Sequence, residues 1–365
     1  MQGRAPLTPE QRDVAGTAFR VAAYRMQCIK AGVSGHEIDR RIGLARLPQL
    51  MMLVGPGGSG KSNTVDTLGD ELERAGHGYV AITAYTGVAA SAFGAPTLLK
   101  LLGFGRKQTK TPPPCDAQVH RQKLERWVTE CGVTMSDVAC FVVDEASFIG
   151  VDLLGRTCHA VAQLEGLENI HVGGIPMILT GDCFQKDPCA AEPFYKTLVN
   201  DAVNDQGGSK DPNSATARGL RLLKRSRKFE LTRIMRAMSD PGFIAHPSQM
   251  RDTSIAKPVN KALVKNVARP VTQADIANDA NWLLAPLGVL SQLERDHMNE
   301  RRLHQWCRIF GLPLVRWRIP LDTPVALQNV PTDKLYAEEV NLWCYYARGA
   351  PLRTSSPRSA PATIG

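Results

Sequence analysis

The sequence of 365 residues lacks the paired cysteines that would indicate a zinc site or a disulfide framework. Its nine cysteines stand singly between Cys28 and Cys344, with no Cys-x-x-Cys pair, and predict free thiols in a reducing compartment. No apolar run approaches the roughly 20 residues that a membrane-spanning helix needs. The first residues also lack the apolar segment of a secretory signal. We therefore expect an intracellular protein without a membrane partner, in the nucleus rather than the mitochondrion.

Acidic residues are in deficit. The chain has 44 Lys and Arg residues against 35 Asp and Glu residues, which gives a formal net charge of +9 at pH 7. This excess favours an anionic partner, either nucleic acid or an acidic membrane surface. The eight histidines show no metal-ligand spacing, and we expect them to be structural. Hydrophobic residues make up 43% of the chain, so a well-filled core is possible.

Short apolar runs alternate with helical stretches over the first half of the chain. Residues 9 to 31 and 61 to 75 are predicted to be helices. Four apolar runs have the length of buried strands and are followed by polar or glycine residues: 50 to 54, 79 to 84, 139 to 143 and 176 to 180. Continuous apolar strands between helices predict an α/β fold, with a parallel sheet covered by helices on both faces. Such sheets bind ligands at the carboxyl ends of their strands.

Two stretches interrupt this alternation. Residues 105 to 126 begin with a basic, proline-rich run and indicate a surface insertion, which we bound at about residues 105 to 130. Residues 218 to 228 contain six basic residues and no acidic one, and their leucines indicate a partly buried helix. The cations of this second stretch fit either a DNA contact or a solvated face.

A phosphate-binding pattern lies between the first strand and the helix that follows it. Residues 55 to 62 read Gly-Pro-Gly-Gly-Ser-Gly-Lys-Ser and match Gly-x-x-x-x-Gly-Lys-Ser/Thr. The glycines let successive N–H groups face one anion, which the positive end of the helix also faces. Lys61 is expected to neutralise the β- and γ-phosphates of ATP, and Ser62 to ligate Mg²⁺. The predicted nucleotide-binding residues of this loop are Gly55, Pro56, Gly57, Gly58, Ser59, Gly60, Lys61, Ser62 and Asn63. A chance glycine-rich turn is the alternative, and the strand before the loop and the helix after it count against that alternative.

Two adjacent carboxylates close the third strand. Asp144 is predicted to hold Mg²⁺ through water, and Glu145 to be the catalytic base that orients the attacking water. An Asp-Glu pair alone is usually a solvated turn, but the phosphate loop upstream favours the functional interpretation. Gln185, after the fourth strand, either senses the γ-phosphate or belongs to a polar turn, and its motif leaves both possibilities open.

Taken in order, these segments resemble the Pif-type (petite integration frequency) DNA helicases of superfamily one, including those of helitron transposons, with RecD-like helicases as more distant relatives. The resemblance covers about residues 7 to 352. Leu7-Thr-Pro-Glu-Gln11 is similar to the family's Gln motif, residues 83 to 90 with 97 to 104 to motif Ia, Asp144 to Ser147 to motif II, and Gly181 to Gln185 to motif III. Residues 231 to 236 stand where motif IV carries an arginine.

This resemblance implies roles for individual residues. Gln11 would read the adenine base, and Arg236 would sense the γ-phosphate. Residues of motif Ia would contact single-stranded DNA: Tyr85, Thr86, Gly87 and Lys100. For Tyr85 ordinary core packing is the alternative, and for Lys100 a solvated face. Tyr85 occupies a position that is usually proline in the family.

The resemblance also implies a domain organisation. Residues 1–235 would form a P-loop NTPase (RecA-like) ATPase domain, residues 236–353 an incomplete second RecA-like domain, and residues 354–365 a disordered tail. Neither motif V nor motif VI, which supplies a second arginine to the transferring phosphate, is found in the sequence. We therefore expect a C-terminally truncated motor that binds ATP and hydrolyses it poorly. A gene fragment, a degenerate transposon copy and a subunit completed by another chain are all compatible with this expectation.

The leading hypothesis is an ATP-dependent DNA helicase that uses ATP and Mg²⁺ and acts on single-stranded DNA and DNA junctions. The resemblance implies 5′-to-3′ polarity and a role in repair, recombination or telomere maintenance. A non-catalytic ATP- and DNA-binding remnant is the second hypothesis. An unrelated P-loop enzyme, such as a small-molecule kinase, is the third, and the sequence shows no acceptor pocket for it.

Overall fold

The computed structural model describes residues 5–101, 117–164, 174–184, 214–236, 292–318 and 343–348, with the isolated positions 191, 193, 194, 196, 197, 272, 274 and 333. The chain divides into two compact units, Met1–Ile255 with Pro357–Gly365, and Ala256–Ser356. The predicted domain boundary after residue 235 and the predicted tail stay predictions. Among the described helices, none is both long enough and apolar enough to cross a bilayer.

The first unit contains the predicted alternation of strands and helices. Its strands are β1 (Leu50–Val54), β2 (Tyr79–Ala84), β3 (Val138–Asp144), β4 (Met177–Gly181) and β5 (Arg227–Glu230). Its described helices are α1 (Pro9–Lys30), α2 (Gly35–Leu44), α3 (Lys61–Arg74), α4 (Gly87–Ala92), α5 (Leu98–Leu101), α6 (Ala117–Glu130), α7 (Val151–Leu164) and α8 (Ala215–Arg225), with 3-10 turns at Met135–Asp137 and Ala146–Phe148. The four predicted strands lie within a residue of their predicted bounds, whereas β5 and α2 were not predicted.

The five strands form one parallel sheet in the order β2-β3-β4-β1-β5. The predicted α/β P-loop fold is therefore confirmed. Strand β1, which leads into the phosphate loop, pairs with β4 so that Val54 lies opposite Gly181. Strand β4 in turn pairs with β3, which ends at Asp144. The carboxyl ends of β1, β4 and β3 consequently meet at one edge of the sheet.

Side chains of the sheet alternate between two buried faces, as the period of a strand requires. On one face, Met52 and Phe141 belong to a cluster with α7 and α8. On the other face, Met51, Leu53 and Val142 belong to a cluster with α1 and α3. Helices thus cover both faces of the sheet, which explains why β1 to β4 are largely apolar.

Burial also determines the protonation state of Cys140, which lies in the middle of β3. Burial raises the pKa of the Cys140 thiol to about 12, and burial likewise raises the pKa of the Cys158 thiol on α7 to about 12. Both thiols stay protonated at physiological pH, so both behave as small apolar side chains rather than as nucleophiles.

Parts of the two irregular stretches lie within the described residues. Helix α6 lies within the segment predicted as a surface insertion, and its Trp127 and Val128 are buried in the core, with Trp127 edge-on to Phe141 at 6.5 Å between ring centroids. The C-terminal part of the segment is therefore a core helix, while residues 102–116 lie outside the described part. The helix expected within residues 218 to 228 is α8, and its Leu220, Leu222 and Leu223 are buried.

Helices α7 and α8 approach each other through a pair of glycines. A Cβ added at Gly155 of α7 would lie 1.8 Å from the carbonyl oxygen of Ala215. A Cβ added at Gly219 of α8 would lie 2.1 Å from the carbonyl oxygen of Val151. Neither backbone can move away cheaply, so both positions require glycine.

We expect Gly155→Ala to lower the free energy of unfolding by about 1–3 kcal/mol or more, because the added methyl group overpacks the α7–α8 contact. Gly43→Ala is the matched control, since nothing lies within 4 Å of a Cβ at this exposed helical position. The free energy of unfolding of the control is expected to rise by up to about 1 kcal/mol, because alanine has a higher helix propensity than glycine. Urea denaturation followed by circular dichroism measures both changes. Equal stability of the two variants would contradict the close approach.

The second unit is described over one helix and two strands. These are α9 (Gln292–Phe310), β6 (Val315–Arg318) and β7 (Trp343–Tyr346), and the two strands pair antiparallel. The hydroxyl of Tyr345 donates a hydrogen bond of 2.7 Å to Oε1 of Glu300 and so fixes β7 on α9. The incomplete second RecA-like domain stays a prediction.

Candidate nucleotide site

The phosphate loop is the turn between β1 and α3. Gly58 and Gly60 have φ angles of 81° and 87°, in the left-handed region that favours glycine. Four other helices have a Ser or Thr hydroxyl at the N-cap, contributed by Thr8, Ser34, Thr86 and Ser214. Helix α3 is capped by Gly60 and receives no hydrogen bond from a side chain there. Its first amides are therefore directed at the position where the phosphate-binding pattern places an anion.

The side chains of residues 59 to 63 differ in their contacts. The Lys61 ammonium donates to the carbonyl oxygens of Gly55 at 2.8 Å and Pro56 at 3.0 Å, so it lies folded back over the loop. Ser59 is 1% exposed, and its hydroxyl has no hydrogen-bond partner among the described residues. Ser62 is exposed at the start of α3. Asn63 points away from the loop, since its amide donates to the carbonyl oxygen of Ala5 at 3.3 Å.

Strand β4 connects the loop to the two predicted acids. The Gly55 N–H donates to the carbonyl oxygen of Gly181 at 3.2 Å. The preceding residue, Thr180, donates its hydroxyl to Oδ1 of Asp144. Oδ1 also accepts the Glu145 N–H at 2.9 Å. Two adjacent residues of β4 thus hold the phosphate loop on one side and Asp144 on the other.

Glu145 has an unusual backbone conformation. Its φ of 56° and ψ of 37° place a non-glycine residue in the left-handed region, which turns the chain sharply after β3. Its carboxylate oxygen Oε2 accepts a hydrogen bond from the hydroxyl of Thr86. Thr86 was predicted as a DNA contact, and the structure brings it onto the predicted catalytic base.

Gln11 contacts the loop rather than only flanking it. Its side chain is 2% exposed, and its Nε2 donates to the carbonyl oxygen of Ser59 at 2.8 Å. Its Oε1 accepts the Thr8 N–H at 2.9 Å and completes the capping box of α1. Both ends of the amide are engaged, so Gln11 supports the conformation of the loop. The adenine contact that the resemblance implies for Gln11 stays a prediction.

We expect Gln11→Glu to weaken ATP binding by about tenfold and to destabilise the fold, since a carboxylate cannot donate to the Ser59 carbonyl and a buried acceptor left unpaired costs about 1–3 kcal/mol. Gln27→Glu makes the same chemical change at an exposed position of the same helix and is expected to bind ATP as the unmodified chain does. Titration with a fluorescent ATP analogue measures both affinities. Unchanged ATP affinity in Gln11→Glu would show that Gln11 does not contribute to ATP binding.

The segment after β5 forms the second wall of the loop. The N–H groups of Met235 and Arg236 both donate to the carbonyl oxygen of Gly58, at 2.7 and 3.0 Å. A Cβ added at Gly58 would lie 2.5 Å from the Cβ of Arg236. The Arg236 backbone therefore lies against the phosphate loop, with its side chain exposed. Glu10 of α1 fixes the same segment by accepting the N–H and hydroxyl of Thr232 at 3.0 and 2.8 Å.

The predicted DNA contacts follow β2. Tyr85 is partly buried, and its ring lies nearly parallel to the ring of Phe148, with 6.1 Å between the two ring centroids. Gly87 and Lys100 are exposed. The structure brings Tyr85 and Thr86 next to the end of β3, where the Tyr85 N–H donates to the carbonyl oxygen of Asp144 at 3.1 Å. Gln185 lies outside the described residues.

Sequence reasoning missed three residues of this site. Thr180 holds Asp144, and Glu10 with Thr232 ties α1 to the segment that carries Arg236. A hydroxyl at the carboxyl end of an otherwise apolar strand was a usable signal for Thr180. For Glu10 and Thr232, which are 222 positions apart, the sequence held no signal of contact.

The donor set fits Mg²⁺ with a nucleotide. Mg²⁺ prefers hard oxygen ligands and is usually held by one or two protein groups together with substrate phosphates and water. The Ser62 hydroxyl and the Asp144 carboxylate supply such oxygens. Among the described residues, no cluster of three or more His, Cys, Asp or Glu side chains suits a metal held by protein alone.

Three comparisons with known proteins bear on this site. A family described as an AAA domain matches residues 45–183. ATP-dependent DNA helicase RRM3 of Saccharomyces cerevisiae is 32% identical over 147 residues, which are 40% of this chain and 19% of that protein. The crystal structure of Pif1 helicase from Candida albicans superposes with a TM-score of 0.52 at 20% identity, covering 89% of this chain and 61% of that chain. The chain thus spans less than two thirds of the length of either relative.

These matches agree with the geometry, because residues 45–183 contain the phosphate loop, Thr86, Asp144, Glu145 and Thr180. The chain therefore has an α/β P-loop fold in which residues 45–183 are similar to an AAA domain, and its expected resemblance to the Pif-type helicases is confirmed.

Proposed function

We propose that this chain binds ATP with Mg²⁺ and couples ATP hydrolysis to movement along single-stranded DNA, as a DNA helicase. One observation supports the proposal above all others. Through Gly181 and Thr180, β4 joins the phosphate loop to Asp144, so a triphosphate-binding turn and an acidic pair share one edge of the sheet. Similarity to a DNA helicase, at 32% identity over 147 residues, supports the choice of reaction.

The residues of the site have separable roles in this proposal. The amides of residues 57 to 62 and the Lys61 ammonium bind the phosphates. Ser62 and Asp144 would hold Mg²⁺, which would supply positive charge to neutralise the phosphates. Glu145 accepts a proton from the attacking water. Arg236, whose backbone N–H donates to the carbonyl oxygen of Gly58, senses the γ-phosphate, and Gln185 contributes to the same sensing.

The DNA partner is supported by charge and by position. The net charge of +9 favours a polyanion. Tyr85, Thr86 and Gly87 directly follow β2, beside the strand that carries the acids. We propose single-stranded DNA and DNA junctions as partners, 5′-to-3′ polarity, a nuclear location, and a role in repair, recombination or telomere maintenance.

ATP turnover of the purified chain, measured with and without a single-stranded oligonucleotide, tests the proposal. We expect turnover that requires Mg²⁺ and rises with the oligonucleotide. Strand displacement on duplexes with a 5′ or a 3′ single-stranded tail then tests polarity, with displacement expected from the 5′ tail. ATP binding without turnover in either condition would overturn the proposal and favour a non-catalytic ATP-binding remnant. Turnover that is insensitive to DNA would favour an unrelated P-loop enzyme.

A further inference from the structure

Helix α8 carries a row of cations on one side. It contains Arg218, Arg221, Lys224 and Arg225 and neither Asp nor Glu. At about 3.6 residues per turn, the three arginines lie within about 60° around the helix axis and span about 10 Å along it. Arg221, Lys224 and Arg225 are exposed, and Arg218 is partly buried. The row therefore faces solvent.

The opposite side of α8 is fixed in the core. Leu220, Leu222 and Leu223 are only 3–4% exposed, and the backbone of Gly219 lies against Val151 of α7. The apolar side of α8 is therefore already buried and does not insert into a lipid bilayer, as the apolar side of a membrane-surface helix does. The arginines lie on a rigid element, which reduces the entropy lost when they bind a ligand.

Local stabilisation of the helix accounts for only part of this composition. Lys224 and Arg225 lie in the last turn, where cations interact favourably with the negative end of the helix dipole. Arg218 lies in the first turn, where the same dipole disfavours a cation. Arg221 is three residues from Arg218 and four from Arg225, and like charges at these spacings destabilise a helix. Arg218 and Arg221 thus lower the stability of the unliganded chain.

Neighbouring charges do not offset this repulsion. Every other described helix longer than two turns contains Asp or Glu together with Lys or Arg. The two cations of β5 are paired with acids, Arg227 with Asp13 at 3.8 Å and Lys228 with Glu230 at 2.9 Å. Within the described part of the chain, the three arginines of α8 form no ion pair with an acidic side chain. A bound polyanion would supply the negative charge that α8 lacks.

The chemistry of the row fits the backbone of duplex DNA. Arginine binds phosphate through two parallel N–H bonds, and duplex DNA presents one phosphate per about 1.7 Å of its axis. Proteins that bind single strands also place aromatic side chains beneath the bases. The one aromatic residue between positions 214 and 230, Phe229, is buried. The row therefore offers cations to phosphates and no stacking surface to bases.

The row is also separate from the nucleotide site. Helix α8 leads through Ser226 into the amino end of β5, whereas the phosphate loop follows the carboxyl end of β1. Resting on the proposed function, we propose that Arg218, Arg221 and Arg225 bind the phosphate backbone of duplex DNA without reading its base sequence. Single-stranded DNA and ATP bind at other residues.

The triple variant Arg218→Gln, Arg221→Gln, Arg225→Gln removes the charge of the row and keeps long polar side chains. Fluorescence anisotropy with a blunt-ended duplex at a series of salt concentrations measures binding. Each phosphate contact contributes about −0.9 to the slope of log K against log salt concentration, so we expect the slope to become shallower by about 2.7. Affinities for a single-stranded oligonucleotide and for a fluorescent ATP analogue are expected to stay unchanged.

The matched control is Arg20→Gln, Arg40→Gln, Arg74→Gln, which removes the same charge from exposed positions of α1, α2 and α3. We expect the control to bind the duplex as the unmodified chain does. If the triple variant of α8 melts at a lower temperature than the unmodified chain, Arg221→Gln alone takes its place, with an expected change in slope of about 0.9.

An unchanged slope in the α8 variant overturns the proposal, and so does an equal change in the control or an equal loss of single-strand affinity. A larger loss of binding to a polyglutamate peptide or to phosphatidylserine vesicles than to the duplex also overturns it, since the partner would then be a protein or a membrane. DNA-stimulated ATP turnover with an unchanged slope would leave the helicase function without this surface. A shallower slope in a chain without turnover would support the surface and not the helicase function.

Discussion

Glu145→Gln is expected to reduce ATP turnover by about 10²–10⁴-fold, the contribution of a positioned general base. Glutamine keeps the size of the side chain and can still accept the Thr86 hydroxyl through its amide oxygen, so the contact that positions residue 145 is preserved. ATP binding is expected to change little, because the phosphate loop and Asp144 are untouched. Steady-state turnover and ATP titration on the same preparation measure the two effects.

The matched control for this prediction is Glu73→Gln, the same change at an exposed position of α3. We expect turnover of the control to equal that of the unmodified chain. If Glu145→Gln kept more than half of the original turnover, Glu145 could not be the base. If instead it lost ATP binding, its role would lie in holding the nucleotide.

Lys61→Ala is expected to abolish measurable ATP binding and to reduce turnover by about 10²–10³-fold, the size of the loss when one donor that stabilises transition-state charge is removed from an active site. Lys61 Nζ lies against the carbonyl oxygens of Gly55 and Pro56, within the loop that would hold the phosphates. Its removal is expected to leave stability nearly unchanged, because the ammonium group is only partly buried.

Lys123→Ala, at an exposed position of α6, controls for the loss of one positive charge. Thermal melting with and without Mg²⁺ and ATP provides a second measurement. The unmodified chain and the control are expected to gain melting temperature with the nucleotide, since a ligand that binds only the folded state stabilises it. A full gain in Lys61→Ala would show that the nucleotide binds elsewhere.

Strands β1 to β4 were predictable because each is an apolar run bounded by polar or glycine residues. Strand β5 was not, since Arg227-Lys-Phe-Glu230 has one buried side chain, Phe229, and three exposed ones. It lies at the end of the described strand order, next to β1 alone. An edge strand needs little apolar surface, so its sequence resembles a charged loop.

Some features of the candidate site were also predictable from the sequence, and others were not. The phosphate loop and the Asp144–Glu145 pair were predictable because their chemistry depends on neighbours in the sequence. The hydrogen-bond partners of the Gln11 and Thr86 side chains could not be predicted from the sequence. One donates to the carbonyl oxygen of Ser59, 48 positions away, and the other to Glu145, 59 positions away. Bonds of this kind depend on packing between elements, which a single sequence does not encode in any local pattern.

The amino-acid sequence by itself determined the phosphate-binding turn, the acidic pair and the alternation of strands and helices, because glycine conformation, charge and apolar periodicity act over a few neighbouring residues. Only the tertiary structure decided that β4 lies between β1 and β3, so that Gly181 holds the loop while Thr180 holds Asp144. Strand order results from the joint burial of all five strands and their covering helices, and that burial is a property of the folded chain as a whole.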